Sequence, residues 1–242
     1  MRDKPGNNSI SCYLTTPFSC SYLLDRQASN LVIDPNLDIN DILLGGLLEQ
    51  GFRRSGKHIY RPHCEGCDAC VSIKVPTKGF KANRSQRRNW LQNSELRHIA
   101  THPGFNDEHF ELYRKYLASR HHDSEMGNPI PTDYIGFLTA EGINTVFHEF
   151  RFRDKLLAVA VADHVPIGLS AVYTFYDPDY SHLGLGTYAI LWLIRHAQET
   201  DLPWVYLGYW INDCAKMGYK SKFNPQLGFR NDRWREMGIK TC

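Results

Sequence analysis

Between residues 156 and 219 the chain alternates long apolar runs with glycine and polar breaks. The run LLAVAVADHV, a Pro-Ile turn and GLSAVYTFY predict two strands joined by a turn. The segment SHLGLGTYAILWLIRHAQ predicts a glycine turn opening a helix, and apolar residues cover most sides of 189–197, so that helix is buried. LPWVYLG predicts a further strand, and a polar aromatic stretch follows it as far as Tyr219 and Lys220. A strand that stops at a glycine-rich turn opening a helix leaves backbone N–H groups unspent. Such groups hold an anion or a developing oxyanion.

Outside this block the pattern is more mixed. Residues 38–50 predict a short helix with Asp38 or Asn40 as its cap and Gly51 at its C-terminal end. The segment 60–70 is rich in turns and cysteines, and 71–75 alternates as a strand does. A helix is predicted over 78–97 after a polar loop. A second is predicted over 106–120, acidic at its start, with Phe110, Tyr113 and Leu117 on one stripe. A third is predicted over 132–140, with Thr132 as cap and Gly142 beyond its end, and 146–153 reads as the first strand of a C-terminal sheet. The fold class expected is α+β: a mixed sheet with helices, plus a smaller cysteine-bearing N-terminal part. The division expected is 1–80 and 81–242, with the boundary between 78 and 85.

A chain with 42% hydrophobic and 22% charged residues, and no repeat, has the make-up of a globular protein. Its net charge of +2 offers no whole-chain attraction to a polyanion. Locally, however, Lys78, Lys81, Arg84, Arg87 and Arg88 follow one another with no acid between 78 and 94. No apolar run approaches the roughly 20 residues of a membrane span, and the N-terminus carries no signal-like run. The expectation is therefore a cytoplasmic protein with no membrane partner. Its seven cysteines then read as reduced thiols rather than a disulfide framework.

Three segments carry candidate chemistry. Cys64-x-x-Cys67-x-x-Cys70 brings three thiols within reach of one zinc ion or iron–sulfur cluster. A fourth ligand would be Cys20, Cys12, His63 or another remote residue, and the alternative is three thiols packing a tight turn. In the basic run, arginine can hold phosphate bidentately, and Phe80 or Trp90 can stack on a base; the alternative is a solvated helix face. After the strand near 204, Tyr209 or Tyr219 would donate to a leaving oxygen, and Lys216 and Lys220 would hold a phosphate or carboxylate. The alternative there is edge packing by aromatics and solvated lysines.

Several motifs, in order, resemble the aminoacyl-tRNA–protein transferases, specifically the short bacterial aspartate/glutamate leucyltransferases. They are Cys20-Ser21-Tyr22-Leu23, the run Tyr60-Arg61-Pro62-His63-Cys64 with Cys67 and Cys70, Ser85-Gln86-Arg87-Arg88 and Arg120-His121. They continue through Leu157-Ala158-Val159, the run from Gly168 to Pro178, Leu185-Gly186-Thr187-Tyr188-Ala189 and Tyr206-Leu207-Gly208-Tyr209-Trp210-Ile211. The last is Cys214-x-Lys216-Met217-x-Tyr219-Lys220. The resemblance implies a GNAT-like C-terminal part that transfers leucine from leucyl-tRNA to an N-terminal Asp or Glu, making a degradation signal.

That reaction is aminolysis of an ester. The α-amine has an ordinary pKa near 7.7–8.0, so it is partly neutral already. Positioning, an oxyanion donor and help for the leaving ribose oxygen are the main needs, and no cofactor is required. Backbone N–H groups from Ser170 to Val172 or at Gly186 are the oxyanion candidates, and Tyr209 or Tyr219 the proton donor. Arg61, Arg120, His121, Lys216 and Lys220 are candidates for the acceptor's carboxylate, and Glu149 or Asp177 for its amine. Lys81, Arg84, Arg87 and Arg88 are candidates for tRNA. Tyr173, Phe175 and Trp192 are candidates for a leucine pocket. Rival readings are an arginyl-tRNA–protein transferase, an acetyl-CoA-dependent N-acetyltransferase, whose pyrophosphate motif the sequence around Gly184 fits poorly, and a non-catalytic zinc or RNA-binding module.

Overall fold

The computed structural model describes residues 10–120, 129–212 and 214–237; the side chains of 215 and 216 also lie outside the description. Strands β1 (Cys12–Leu14) and β4 (Asn30–Ile33) flank the short hairpin β2 (Phe18–Ser19) and β3 (Gln27–Ala28). Helix α1 (Asp41–Glu49) follows, and the Asn40 side chain caps it by accepting from the Leu43 N–H at 2.9 Å. A cap of this kind contributes about 1 kcal/mol. Gly51 has φ 79° just past the helix end and leads into the hairpin β5 (Arg53–Ser55) and β6 (His58–Pro62). Strands β1, β4, β6 and β5 form a four-stranded sheet in that order.

The chain then leaves this small sheet. Strand β7 (Val71–Pro76), α2 (Arg84–Gln92), β8 (Arg97–Thr101), α3 (Asp107–Arg120) and α4 (Pro131–Leu138) come next. They are followed by β9 (Thr145–Phe152), β10 (Lys155–Val165), β11 (Gly168–Tyr176), α5 (Leu185–Glu199), β12 (Trp204–Trp210), β13 (Leu227–Arg230) and β14 (Arg233–Glu236). The large sheet has eight strands in the order β14-β13-β7-β12-β11-β10-β9-β8. Thus β7 crosses over to lie antiparallel between β12 and β13. The segment 78–85, where the sequence places its boundary, is the loop and first turn that lead from β7 into α2.

Helix α5 covers one face of this sheet, burying Leu185, Ala189, Leu193, Ile194 and Ala197 against β7, β10, β11 and β12. Each such Leu or Ile contributes about 1.5–3 kcal/mol by leaving water. Helices α3 and α4 cover the other face through Phe110, Tyr113, Leu117, Tyr134 and Leu138, and α1 packs beside them. Among the described residues no helix is long and apolar enough to cross a membrane.

Three predicted helix boundaries move. The helix expected over 78–97 spans only Arg84–Gln92, because Asn83 and Gln86 form a capping box at its start and Asn93 ends it. Residues 97–101 instead make the edge strand β8. Thr132 does not cap α4: Pro131 takes the first helical position and Ile130 stands before it. The strands expected at 71–75 and 146–153 lie within one residue of β7 and β9.

Candidate active site

Strands β11 and β12 run parallel but pair only from Gly168–Trp204 to Ser170–Tyr206. Beyond that they splay. Both strands are irregular at this point: the β10–β11 register shifts at Val161/Ala162, and the β12–β7 register shifts between Tyr206 and Gly208. Such bulges bend a strand and re-aim what it carries. Gly208 has φ 71°, a conformation that glycine adopts without steric cost. The opening leaves main-chain groups of both strands without ladder partners, and two cations meet some of them.

The first is Arg53 at the start of β5. It donates to the Val172 carbonyl at 3.3 Å and lies flat against Gly208, where an added Cβ would sit 3.2 Å from Nη1. The second is Lys220, on the 3-10 helix Ala215–Lys222, which donates to the carbonyls of Leu207 (2.7 Å) and Tyr209 (2.8 Å). Burial first, and Arg53 second, push the Lys220 amine down to about 7. A neutral amine still has two N–H groups for these two carbonyls. Ser72, Ser170, Ala171, Val172 and Tyr206 line the narrow pocket beneath, which has room for about one water.

Tyr219 stands over this opening. Its hydroxyl has no hydrogen-bond partner among the described residues, and the residue is 41% exposed. Packing around it raises the phenol pKa, Tyr176 adds to the rise and Arg53 opposes it. The phenol therefore stays protonated, as a hydrogen-bond donor to a leaving oxygen must. At the far end of β11, Arg120 Nη2 donates to the Tyr176 hydroxyl and its guanidinium lies 5.7 Å from the Tyr176 ring centroid. Tyr116 meets the same ring edge-on at 5.0 Å. Gly186, in the first turn of α5, faces it too: a Cβ there would be 3.6 Å from the Tyr176 ring.

The structure thus gathers Ser170, Gly186, Tyr219, Lys220 and Arg120 along the opening of β11. It places other candidates elsewhere. The Tyr209 hydroxyl is buried, 3.0 Å from both the Gly51 and Tyr60 carbonyls, and ties β12 to the small sheet. Arg61 lies between Phe52 and Phe229 and pairs with Asp232 at 3.2 Å. His121 and the Lys216 side chain lie outside the described residues.

The two acids are spent as well. Asp177 is buried, with Lys115 at 2.6 Å and Lys155 at 3.0 Å. Burial alone would raise its pKa; the two ammoniums and the Asp179 N–H override that and hold it below the usual range. Glu149 is likewise buried between His109 (2.7 Å) and Arg151 (2.5 Å). Tyr173 and Phe175 pack towards α3 and α4, whereas Trp192 sits on the α5 face, stacked on His98 at 4.0 Å.

The cysteine run lies beside Tyr209. Cys64 and Cys67 pair through their main chains in an isolated antiparallel bridge, both thiols being free, and burial, with Cys64, Cys20, Cys67 and Cys214 nearby, pushes the Cys70 thiol up to about 12. Among the described residues no three His, Cys, Asp or Glu side chains are placed to hold a metal ion. The chemistry below uses none of these thiols as a ligand.

Helix α2 carries Arg84, Arg87 and Arg88, all exposed, with Lys81 just before it. Its buried Gln86 donates to the Lys222 carbonyl at 3.0 Å, and Asn89 donates to the Leu183 carbonyl at 2.8 Å. These bonds fix the basic helix beside both the Tyr219–Lys220 helix and the start of α5.

Sequence reasoning passed over Arg53. Nothing in Phe52-Arg53-Arg54-Ser55 distinguishes a guanidinium that reaches the opposite sheet from one in solvent. Tyr116 was not singled out either, and Tyr176 entered only as part of the run from Gly168 to Pro178.

A mixed sheet whose parallel pair splays above a helix N-terminus is a fold of the GNAT type. The chain overlays the C-terminal DUF2156 domain of an Agrobacterium fabrum protein designated a lysylphosphatidylglycerol synthetase. The TM-score is 0.51 at 14% identity, covering 80% of this chain and 62% of that one, a likeness of fold alone. Residues 18–88 match the model "Arginine-tRNA-protein transferase, N terminus" and 108–230 the model "Arginine-tRNA-protein transferase, C terminus". The chain belongs to that family. It is 48% identical over 225 residues to an aspartate/glutamate leucyltransferase of Pseudomonas paraeruginosa, covering 93% of this chain and 96% of the relative. A relative of the same name from Hahella chejuensis is 46% identical over 222 residues, covering 92% and 95%.

Proposed function

We propose that this protein transfers leucine from leucyl-tRNA to the α-amine of proteins that begin with Asp or Glu, marking them for degradation. The observation that carries this reading is the 48% identity to an aspartate/glutamate leucyltransferase along 93% of the chain. The splay between β11 and β12 supplies the place for it.

The neutral α-amine attacks the ester carbonyl of the aminoacyl-tRNA. The C–N bond forms, the carbonyl oxygen takes negative charge, and the C–O bond to the ribose then breaks. The amine's proton leaves to solvent or a nearby base, and the ribose oxygen gains one. In this reading, N–H groups of β11 beyond Ser170 and of the first turn of α5 at Gly186 receive the oxyanion. Tyr219, whose raised pKa keeps it protonated, donates to the leaving oxygen in this reading. Lys81, Arg84, Arg87 and Arg88 give the tRNA backbone a basic surface next to this opening.

The experiment is transfer of radiolabelled amino acid from charged tRNA to peptides beginning Asp, Glu, Arg or Ala, with leucyl- and arginyl-tRNA in parallel. Leucine on the Asp and Glu peptides alone is the expected result. Arginine in its place moves the protein to the arginyl branch named by the family model, and transfer from neither donor defeats the reading.

A further inference from the structure

Arg53 is the anomaly of the cleft. Among the described residues, Arg54, Arg61, Arg114, Arg151, Arg195 and Arg230 each pair with a carboxylate. The other arginines have no such partner, and all of them except Arg53 are exposed to water. Arg53 is half-buried, spends one hydrogen bond on the Val172 carbonyl, and has no acid facing it among the described residues. Its charge bears instead on Tyr22, Tyr209, Tyr219 and Lys220, which surround it. A guanidinium taken partly out of water without a counter-ion is costly, and its planar fork matches a carboxylate in two parallel bonds.

We infer that Arg53 receives the side-chain carboxylate of the acceptor's first residue and so sets the preference for Asp and Glu. The inference rests on the proposed transfer activity. It follows from place as well as charge. Arg53 lies where β11 and β12 part, beneath Tyr219 and beside the unpaired main chain of β11, so an acid held there stands next to the reacting centre. Lys220, the other cation at this depth, already donates to two carbonyls. Arg120 lies at the exposed end of β11 and engages Tyr176. Neither offers an inward-facing fork.

The test uses the unaltered protein first. Phenylglyoxal modifies accessible arginines, and the rate at each residue is read by mass spectrometry. Modification of Arg53 should slow with saturating peptides that begin Asp or Glu, and proceed at the free rate with the same peptide beginning Asn. Equal rates with the Asp and Asn peptides overturn the inference. Protection by uncharged tRNA with none from the Asp peptide also overturns it, and would assign Arg53 to a phosphate.

Variants supply the second reading. In Arg53→Met, kcat/KM for the Asp peptide should fall about 100-fold, mostly through KM, and the preference for Asp over Asn should collapse towards unity. Arg53→Lys should recover part of that preference. A purely structural role would lower both peptides equally and leave their ratio intact, which would also overturn the inference. Leucine transfer by the unmodified protein to the same Asp peptide is the control. If it is absent, the proposed function fails, and the labelling result still reports whether the acid binds at Arg53.

Discussion

Arg54 of the small sheet forks onto Asp163 of the large one, with Nε–Oδ2 and Nη2–Oδ1 both at 2.6 Å. Both side chains are almost wholly buried, at 2% and 0% exposure for the residues. The remaining donors and acceptors are met by Thr145, the Leu138 carbonyl and the Gly56 carbonyl. This pair holds the strand that carries Arg53 against the sheet that carries the cleft. Removing one partner strands a buried charge, at a cost of about 3–5 kcal/mol. Arg54→Met should lower the urea midpoint accordingly. An unchanged midpoint would show that the pair is not what joins the two sheets.

Lys220 gives stability a pH dependence. Its ordinary value is 10.5 and the fold lowers it to about 7. Between those values the unfolded chain binds a proton that the folded one has shed, so stability rises with pH in that window. The contribution is complete above about 10.5 and lost as pH falls through 7. The stability of the unaltered protein relative to Lys220→Met should therefore increase from pH 7 to pH 10. A constant difference across that range would mean that the amine keeps its charge inside the cleft.

The imidazoles beneath α5 act at the acid end. His98 Nε2 lies 3.0 Å from His148 Nδ1, and His148 Nε2 lies 3.2 Å from His164 Nε2, with Trp192 stacked across them and His196 beside it. Burial first and neighbouring imidazoles second lower His98 to about 4 and His148 to about 2, and both His164 and His196 are lowered too. The nearby acids Glu149, Asp163, Asp41 and Glu199 oppose the shift only in part. These groups fold neutral, and the unfolded chain takes up their protons below about 6.5. Stability should be full above that pH and fall as pH drops towards 4. His148→Gln, which cannot charge, should lose less stability than the unaltered protein between pH 7.5 and pH 5 by urea titration.

The basic face of α2 predicts a salt effect. Arg84 and Arg88 are exposed and make no ion pair among the described residues. Replacing both with Gln should weaken tRNA binding uniformly and reduce the slope of log K against log salt by about 0.7–0.9 for each phosphate no longer neutralised. Peptide KM at saturating tRNA should not move. An unchanged salt slope would take this helix off the tRNA path.

The hairpin of β10 and β11, the helix α5 and the strand β12 were legible in the sequence because each is an apolar run bounded by glycine, proline or a charge. Gly186 and Tyr219 were named as candidates where such runs stop, and Ser170 as a candidate inside the strand. The limits of α2 were not, since Asn93, which ends it, reads like any polar helix residue until its side chain is seen donating to the Leu183 carbonyl. The edge strand β8, Arg97–Thr101, mixes charged and apolar residues and has no strong period. Least legible was the wedge at Gly208. It depends on Arg53 arriving from another sheet, and local periodicity carries no record of so distant a partner.

The insertion of β7 between β12 and β13 also bears on how the molecule is made. Strand 71–76 leaves the ribosome well before both its neighbours, 204–210 and 227–230. Until then its main-chain edges have no native partner, and Arg53 has no Gly208 to lie against. Pairings this distant in sequence form slowly and leave strand edges exposed while they wait. The cleft is therefore a late product of synthesis. A nascent chain that stops short of 204 carries the basic helix α2 and the Cys64–Cys70 run but no parallel pair of strands, so the cleft cannot exist before β12 has been made.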